Sequence, residues 1–177
     1  PVDLVVVAAD AVEAARLRAP MRPLRLQVPS GDSGNGGAGG DDAGSAVVVP
    51  GDEARLRQVV TNLVDNALQH TPATTPVTVR VAREPGFGVV EVADEGPGLA
   101  PEQADRVFER FYRTDSARTR AQGGTGLGLS IVSAIAAAHG GRVEVDSRLG
   151  QGATFRVVVP TTVSAPVPSG APAGVGP

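Results

Sequence analysis

Three stretches of this chain carry residue types that suit chemistry. They are Asn62 and Asn66, four apart; Asp94-x-Gly96-x-Gly98; and Gly123-Gly124-Thr125-Gly126-Leu127-Gly128. Carboxamide oxygens can coordinate a hard cation such as Mg2+. An ionised carboxylate only accepts hydrogen bonds, so Asp94 suits a donor such as the exocyclic amine of adenine. The glycines after it let a ligand lie against bare backbone. Free N–H groups at a helix N-terminus, left open by glycine, attract an anion such as phosphate. The three together describe a site for ATP and Mg2+ without a P-loop.

Taken singly, each stretch has an ordinary explanation. The asparagines fit a solvated helix face. Asp94-x-Gly96-x-Gly98 fits a turn. The glycine run imitates a dinucleotide fingerprint, but that fingerprint needs a strand directly before it, and here a polar run, 118–122, precedes it. Arg110, Arg113, Arg118 and Arg120 are each unremarkable as solvated charge. His70 and His139 fit packing or hydrogen bonding better than metal ligation. The order and spacing of all three stretches carry the weight.

The element that must position them is a helix from Asp52 to about Thr71. Leu56, Val59, Val60, Leu63, Val64, Ala67 and Leu68 make one apolar stripe at helical spacing. Asp52 stands at the N-cap, and Pro72 marks the end. Asn62, Asp65, Asn66 and Gln69, at i, i+3, i+4 and i+7, predict one shared polar face. Residues 3–19 predict another helix, capped by Asp3, with Leu4, Val5, Ala8, Val12, Ala15 and Leu17 as its stripe. Residues 24–28 alternate as a half-buried strand, and 46–49 resume an extended run; the two are expected to pair as a hairpin across a flexible Gly-rich insertion, 30–45. Strands follow at 77–83 and 89–93 around a turn at Pro85-Gly86-Phe87-Gly88. A helix over 101–111 presents Val107, Phe108 and Phe111. Residues 112–125 read as polar and mobile. A helix over 126–139 ends at Gly140-Gly141, and strands 143–146 and 153–159 close the fold. The tail, 163–177, is Pro/Gly/Ala-rich and reads as disordered. The pattern predicts an α/β two-layer sandwich, with a mixed, mostly antiparallel sheet of about five strands and helices on one face.

Composition sets the limits. The chain has 177 residues, no cysteine and a net charge of −3, which excludes disulfides and thiolate metal sites and gives no bulk attraction to nucleic acid or membrane. No apolar run approaches the ~20 residues that cross a bilayer, and no signal peptide opens the chain. The start at Pro1 reads as a cut from a longer protein. All 16 basic residues are Arg. Without Lys there is no P-loop, no protein-kinase strand lysine and no Schiff base.

In this order the motifs resemble the catalytic and ATP-binding domain of bacterial two-component sensor histidine kinases, in the superfamily of gyrase, Hsp90 and MutL. The resemblance runs from about residue 1 to 162. Asn62-Leu-Val-Asp-Asn66-Ala is similar to the asparagine box, Asp94-x-Gly96-x-Gly98 to the first glycine box, and Phe108-Glu-Arg-Phe111-Tyr-Arg to the phenylalanine box. Gly124-Thr-Gly126-Leu-Gly128-Leu is similar to the second glycine box and Gly150-x-Gly152-Ala-Thr154-Phe to the last. The resemblance implies the ATP-binding fold of that superfamily, of the Bergerat type. It implies Asn66 as Mg2+ ligand, Asn62 against the phosphates or the metal shell, and Asp94 on the adenine amine. Gln69, His70, Gly96, Gly98, Gly124, Thr125, Gly126, Leu127, Gly128 and Thr154 are implied as the rest of the nucleotide-binding set. Residues 99–125 become an ATP lid, with Arg110, Arg118 or Arg120 neutralising phosphate. The family often has Lys at the position of Gln69, so a lid arginine takes up more of that charge here.

The hydrolysing relatives carry Glu at the position of Asn62. Asn has no basic group to activate water, whereas phosphoryl transfer needs mainly positioning and charge neutralisation. The resemblance therefore implies transfer to a histidine on a separate dimerisation domain, which this chain lacks, and then to a response regulator. It implies a monomeric fragment from the cytoplasmic end of a membrane-bound sensor kinase. The competing readings are a nucleotide-binding regulatory module, an anti-sigma-type serine kinase, against which Asn62 speaks, and an interaction domain with a degenerate site.

Overall fold

The computed structural model describes residues 1–28, 46–110 and 126–162. The insertion 30–45 and the tail 163–177 lie outside the described residues, as do lid residues 111–125. Elements in chain order are β1 (Val2–Asp3), α1 (Leu4–Arg18), β2 (Leu24–Gln27), β3 (Val48–Val49), α2 (Glu53–His70), β4 (Val77–Glu84), β5 (Phe87–Asp94), α3 (Pro101–Ala104), α4 (Gly128–Ala138), β6 (Arg142–Ser147) and β7 (Ala153–Pro160).

Strand alternation dictates the sheet. β4 and β5 form an antiparallel hairpin, β6 and β7 another, and β5 joins β7 antiparallel. The order is β2-β4-β5-β7-β6, the mixed five-stranded sheet the pattern predicts. One face carries Val79, Val92, Phe155 and Val145 in register, and α1, α2 and α4 cover the sheet. The core is largely Val, Leu and Ala; each fully buried Val or Leu contributes ~1.5–3 kcal/mol. The opposite face is charged. Arg80, Glu91, Arg156 and Glu144 stand side by side across four strands. Arg156 bonds Glu91 at 3.0 Å and Glu144 at 2.7 Å, and also pairs with Glu84.

Helix ends follow the sequence signals. Asp3 accepts from the Val5 N–H and Asp52 from the Arg55 N–H, each satisfying a donor the helix leaves free. At the end of α4, Gly140 takes φ +68° and the Gly141 N–H reaches the Ala136 carbonyl at 2.9 Å, closing a Schellman-type cap.

Three expectations are corrected. β2 does not pair with 46–49: it runs parallel to β4, with Leu24 opposite Val77, while Val48–Val49 pairs with Val2–Asp3. Parallel pairing requires a crossover, and the connection from β2 to β4 runs through β3 and α2. The helix over 101–111 stops at Ala104. Beyond it the N–H groups of Arg106, Val107 and Glu109 bond three residues back, so the backbone tightens into turns. In α1 the buried stripe is Leu4, Val7, Ala8, Ala11, Val12 and Ala15; Leu17 is 86% exposed, one step past where the helix leaves the core. The polar face of α2 holds as the spacing predicts, and α1 borders it. Asp65 turns to α1 and pairs with Arg18 at 2.8 Å.

Candidate functional site

Asp94 ends β5 on the helix-covered face, opposite Val77 and Ala153. It is only 9% exposed. Its Oδ1 accepts from the Gly96 N–H at 2.9 Å. Burial pushes the carboxyl above its usual range; the N–H groups of Gly96 and Ala153, the Arg22 guanidinium and His70 act in the opposite direction. The site thus keeps a desolvated acceptor at the end of a rigid strand.

The glycines around it have work to do within the protein. Gly98 (φ +67°) and Gly152 (φ +85°) let two loops touch. A Cβ on Gly98 would lie 2.0 Å from the Arg148 carbonyl oxygen, and one on Gly152 only 1.9 Å from the Asp94 carbonyl oxygen. The Gly150 N–H bonds the Pro97 carbonyl at 2.8 Å. The Ser147 hydroxyl accepts from Leu99 N–H and donates to the Gly152 carbonyl. Gly96 faces Thr71, whose Cγ2 would be 2.4 Å from an added Cβ. The first and last glycine boxes are one interlocked unit that holds Asp94.

Asn62, in the middle of α2, donates to the Gly128 carbonyl at 3.4 Å. Eight residues on, His70 lies near enough to Asp94 to act on its charge. Asn62, Asn66 and His70, at i, i+4 and i+8, share one helix face that runs from the start of α4 to Asp94. From Asn62 to Thr71 the helix rises roughly 14 Å. Gln69, at i+7, is exposed beside this face, and His70 continues the row toward Asp94.

Gly126 has φ +70°, Leu127 is the N-cap of α4 and Gly128 its first residue. A Cβ on Gly128 would meet nothing within 4 Å, so that end of the helix is open. Phe108 packs edge-on against Phe155, ring centroids 6.2 Å apart, tying the segment after α3 to the sheet. Arg110 is exposed. Arg118, Arg120, Gly124 and Thr125 lie outside the described residues. Thr154 stands opposite Ala93 and Ala153 opposite Asp94. Successive side chains alternate faces, so Thr154 points away from the face of Asp94 and Ala153 occupies the neighbouring position. Among the described residues no group of three or more His, Cys, Asp or Glu could hold a metal.

Sequence patterning missed Arg22, Thr71 and Ser147. Arg22 and Thr71, both 7% exposed, sit beside prolines in connections between elements, where periodicity is silent. Ser147 shows itself only once the β6–β7 turn meets the Asp94 loop.

Residues 51–163 match the family model described as histidine kinase-, DNA gyrase B- and HSP90-like ATPase. The chain belongs to this family. Within the family it is similar to the probable sensor histidine kinase TcrY of Mycobacterium tuberculosis, 43% identical over 150 residues, covering 85% of this chain and 29% of TcrY. It is similar in structure to the mycobacterial sensor histidine kinase MprB, with TM-score 0.70 and 29% identity over 90% of this chain and 95% of that one. It is also similar to full-length ShkA in complex with AMPPNP, with TM-score 0.68 and 34% identity over 94% of this chain and 32% of that one. The chain spans under a third of the length of TcrY. This ATPase-family domain begins its match at the N-terminus of α2, so α1 and β2, with Arg22 between them, lie outside the matched segment. No helix among the described residues is long and apolar enough to cross a membrane.

Proposed function

We propose that this domain binds ATP with Mg2+ along the Asn62–Asn66–His70 face of α2 and presents the terminal phosphoryl group to a histidine of another domain of the same protein. A response regulator would then take it in turn. The observation that carries this reading is the buried Asp94 carboxylate, held at one end of a helix face whose other end is bonded to the opening of α4. Asp94 accepts from the adenine amine. The open N-terminus of α4, at Gly126, Leu127 and Gly128, offers N–H groups to phosphate.

The donor set fits Mg2+. A carboxamide oxygen is a hard donor of the kind Mg2+ takes, and phosphates and water would complete its shell. Asn66 would hold it, and Asn62 would lie against the phosphates. When bound, the ion neutralises phosphate charge. Asn62 supplies no base, so water is not activated and transfer to an incoming imidazole is favoured. Arg110, Arg118 or Arg120 adds positive charge from the lid, 99–125. MprB and TcrY are named as sensor histidine kinases, and the ShkA structure holds AMPPNP; both support the reading. The cytoplasmic end of a sensor kinase is the place such a domain would work.

The test is incubation with ATP labelled on its terminal phosphate. The domain alone should stay unlabelled, and a detached histidine-bearing domain added with it should become labelled. Self-labelling of this chain would sink the proposal. Tight ATP binding without transfer would leave a nucleotide-sensing module instead.

A further inference from the structure

We propose that Arg22 is a positioning residue for Asp94, acting through Thr71 and Gly96 to fix the carboxylate that reads the base. This rests on the ATP reading above and goes beyond it to a residue outside every nucleotide motif.

The contacts are continuous. The Arg22 guanidinium, buried in the connection between α1 and β2, donates to the carbonyls of Ala67 at 3.3 Å and Thr71 at 3.4 Å, and also to the Pro72 carbonyl and the Thr71 hydroxyl. That hydroxyl donates to the Ala67 carbonyl at 2.7 Å. Thr71 is thereby locked in one orientation. Its methyl closes the space over Gly96, and the Gly96 N–H is the donor to Asp94.

Capping alone does not account for a buried guanidinium. The free carbonyls at a helix end accept from water or any neutral donor, and burying a cation is costly unless an opposite charge answers it. Arg22 even keeps its Nε buried without a hydrogen-bond partner. The answering charge is Asp94: each acts on the other electrostatically, against the burial that disfavours both ionised forms. The groups that face Asp94 are the Arg22 cation from the α1–β2 connection, His70 from α2, and the N–H groups of Gly96 and Ala153. Removing Arg22 leaves His70 as the titratable neighbour of the carboxylate.

The test compares affinities for ATP and for inosine triphosphate, which carries a carbonyl where adenine has its amine. Both compete with a fluorescent ATP analogue on the full 177-residue chain, from mildly acidic to neutral pH, with a melting curve for each variant. Arg22→Met is expected to cut the preference for ATP by about tenfold. It should also raise the pH below which that preference disappears, a change that simple loss of a helix cap would not produce. Arg22→Lys should recover part of both. A folded Arg22→Met protein with wild-type preference and pH dependence overturns the proposal. If Arg22→Met melts too low to titrate, Thr71→Ser decides. It keeps the hydroxyl for Arg22 and Ala67 and removes only the methyl over Gly96; a reduced preference supports the assignment and an unchanged one overturns it. Wild-type protein that binds neither nucleotide would overturn the ATP reading itself, and this assignment with it.

Discussion

The carboxamide N–H of Asn62 donates to the carbonyl of Gly128 at 3.4 Å, joining α2 to the first turn of α4. This bond uses one of the two amide N–H donors and leaves the oxygen for another partner. Asn62→Ala removes both functions. Affinity for ATP with Mg2+ should fall about five- to tenfold, the worth of one such bond, while the melting temperature shifts little because the residue is only half-buried. Titration with and without Mg2+, beside a melting curve, checks this.

Asp94 sets stability against binding. Its folded-state carboxyl is raised, with burial as the leading cause, so ionised Asp94 costs the folded state stability at neutral pH. That cost is fully present above the raised value. It fades as pH falls toward the ordinary carboxylate value and is gone below it, because the folded state then binds no more protons than the unfolded one. The melting temperature of nucleotide-free Asp94→Asn relative to wild type should therefore climb from acid to neutral pH, on top of a pH-independent cost from leaving Arg22 without its answering charge, while ATP binding is lost. A variant that is less stable at neutral pH and more stable in acid would contradict the sign.

The glycines divide into two kinds. Gly152→Ala drives a methyl to 1.9 Å from the Asp94 carbonyl oxygen at φ +85°, and a cost of about 2–4 kcal/mol is expected. Gly128→Ala meets nothing within 4 Å, and at the first helical position it gains only part of the ~1 kcal/mol interior propensity. It should leave stability equal or higher and still weaken ATP binding, because the methyl narrows the approach of phosphate to the helix end. Chemical denaturation and nucleotide titration separate the two effects.

His139 clasps the other ends of the same two helices. Its Nδ1–H donates to the Ile135 carbonyl at 2.8 Å and its Nε2 accepts from the Asp52 N–H at 3.1 Å. His139→Ala should cost about 1–2 kcal/mol, read from the urea midpoint, with nucleotide affinity within twofold of wild type by the same order-of-magnitude reasoning.

The elements with strong local signals were legible in the sequence. α2 announces itself through Asp52, a seven-residue apolar stripe and Pro72, and both hairpins follow from alternation. What escaped was non-local. Leu24 and Leu26 alternate identically whether their partner is 46–49 or β4, and only the finished sheet chooses. Thr154 belongs to a motif, yet register alone says which face it takes. Val107 and Phe108 suit a helix, but a contact with Phe155 satisfies them in a run of turns. Arg22 shows no pattern at all; its partners lie about 45–50 positions away, and such pairings leave no trace in spacing.

The parallel seat of β2 beside β4 has a kinetic meaning. The β4–β5 and β6–β7 hairpins can zip through short turns, but β2 must wait for β4, just as β5 must wait for β7 across residues 95–152. Non-local pairings of this sort are slow to close. β2 thus settles only once β4 is in place, and the connection before it brings the Arg22 guanidinium beneath Asp94.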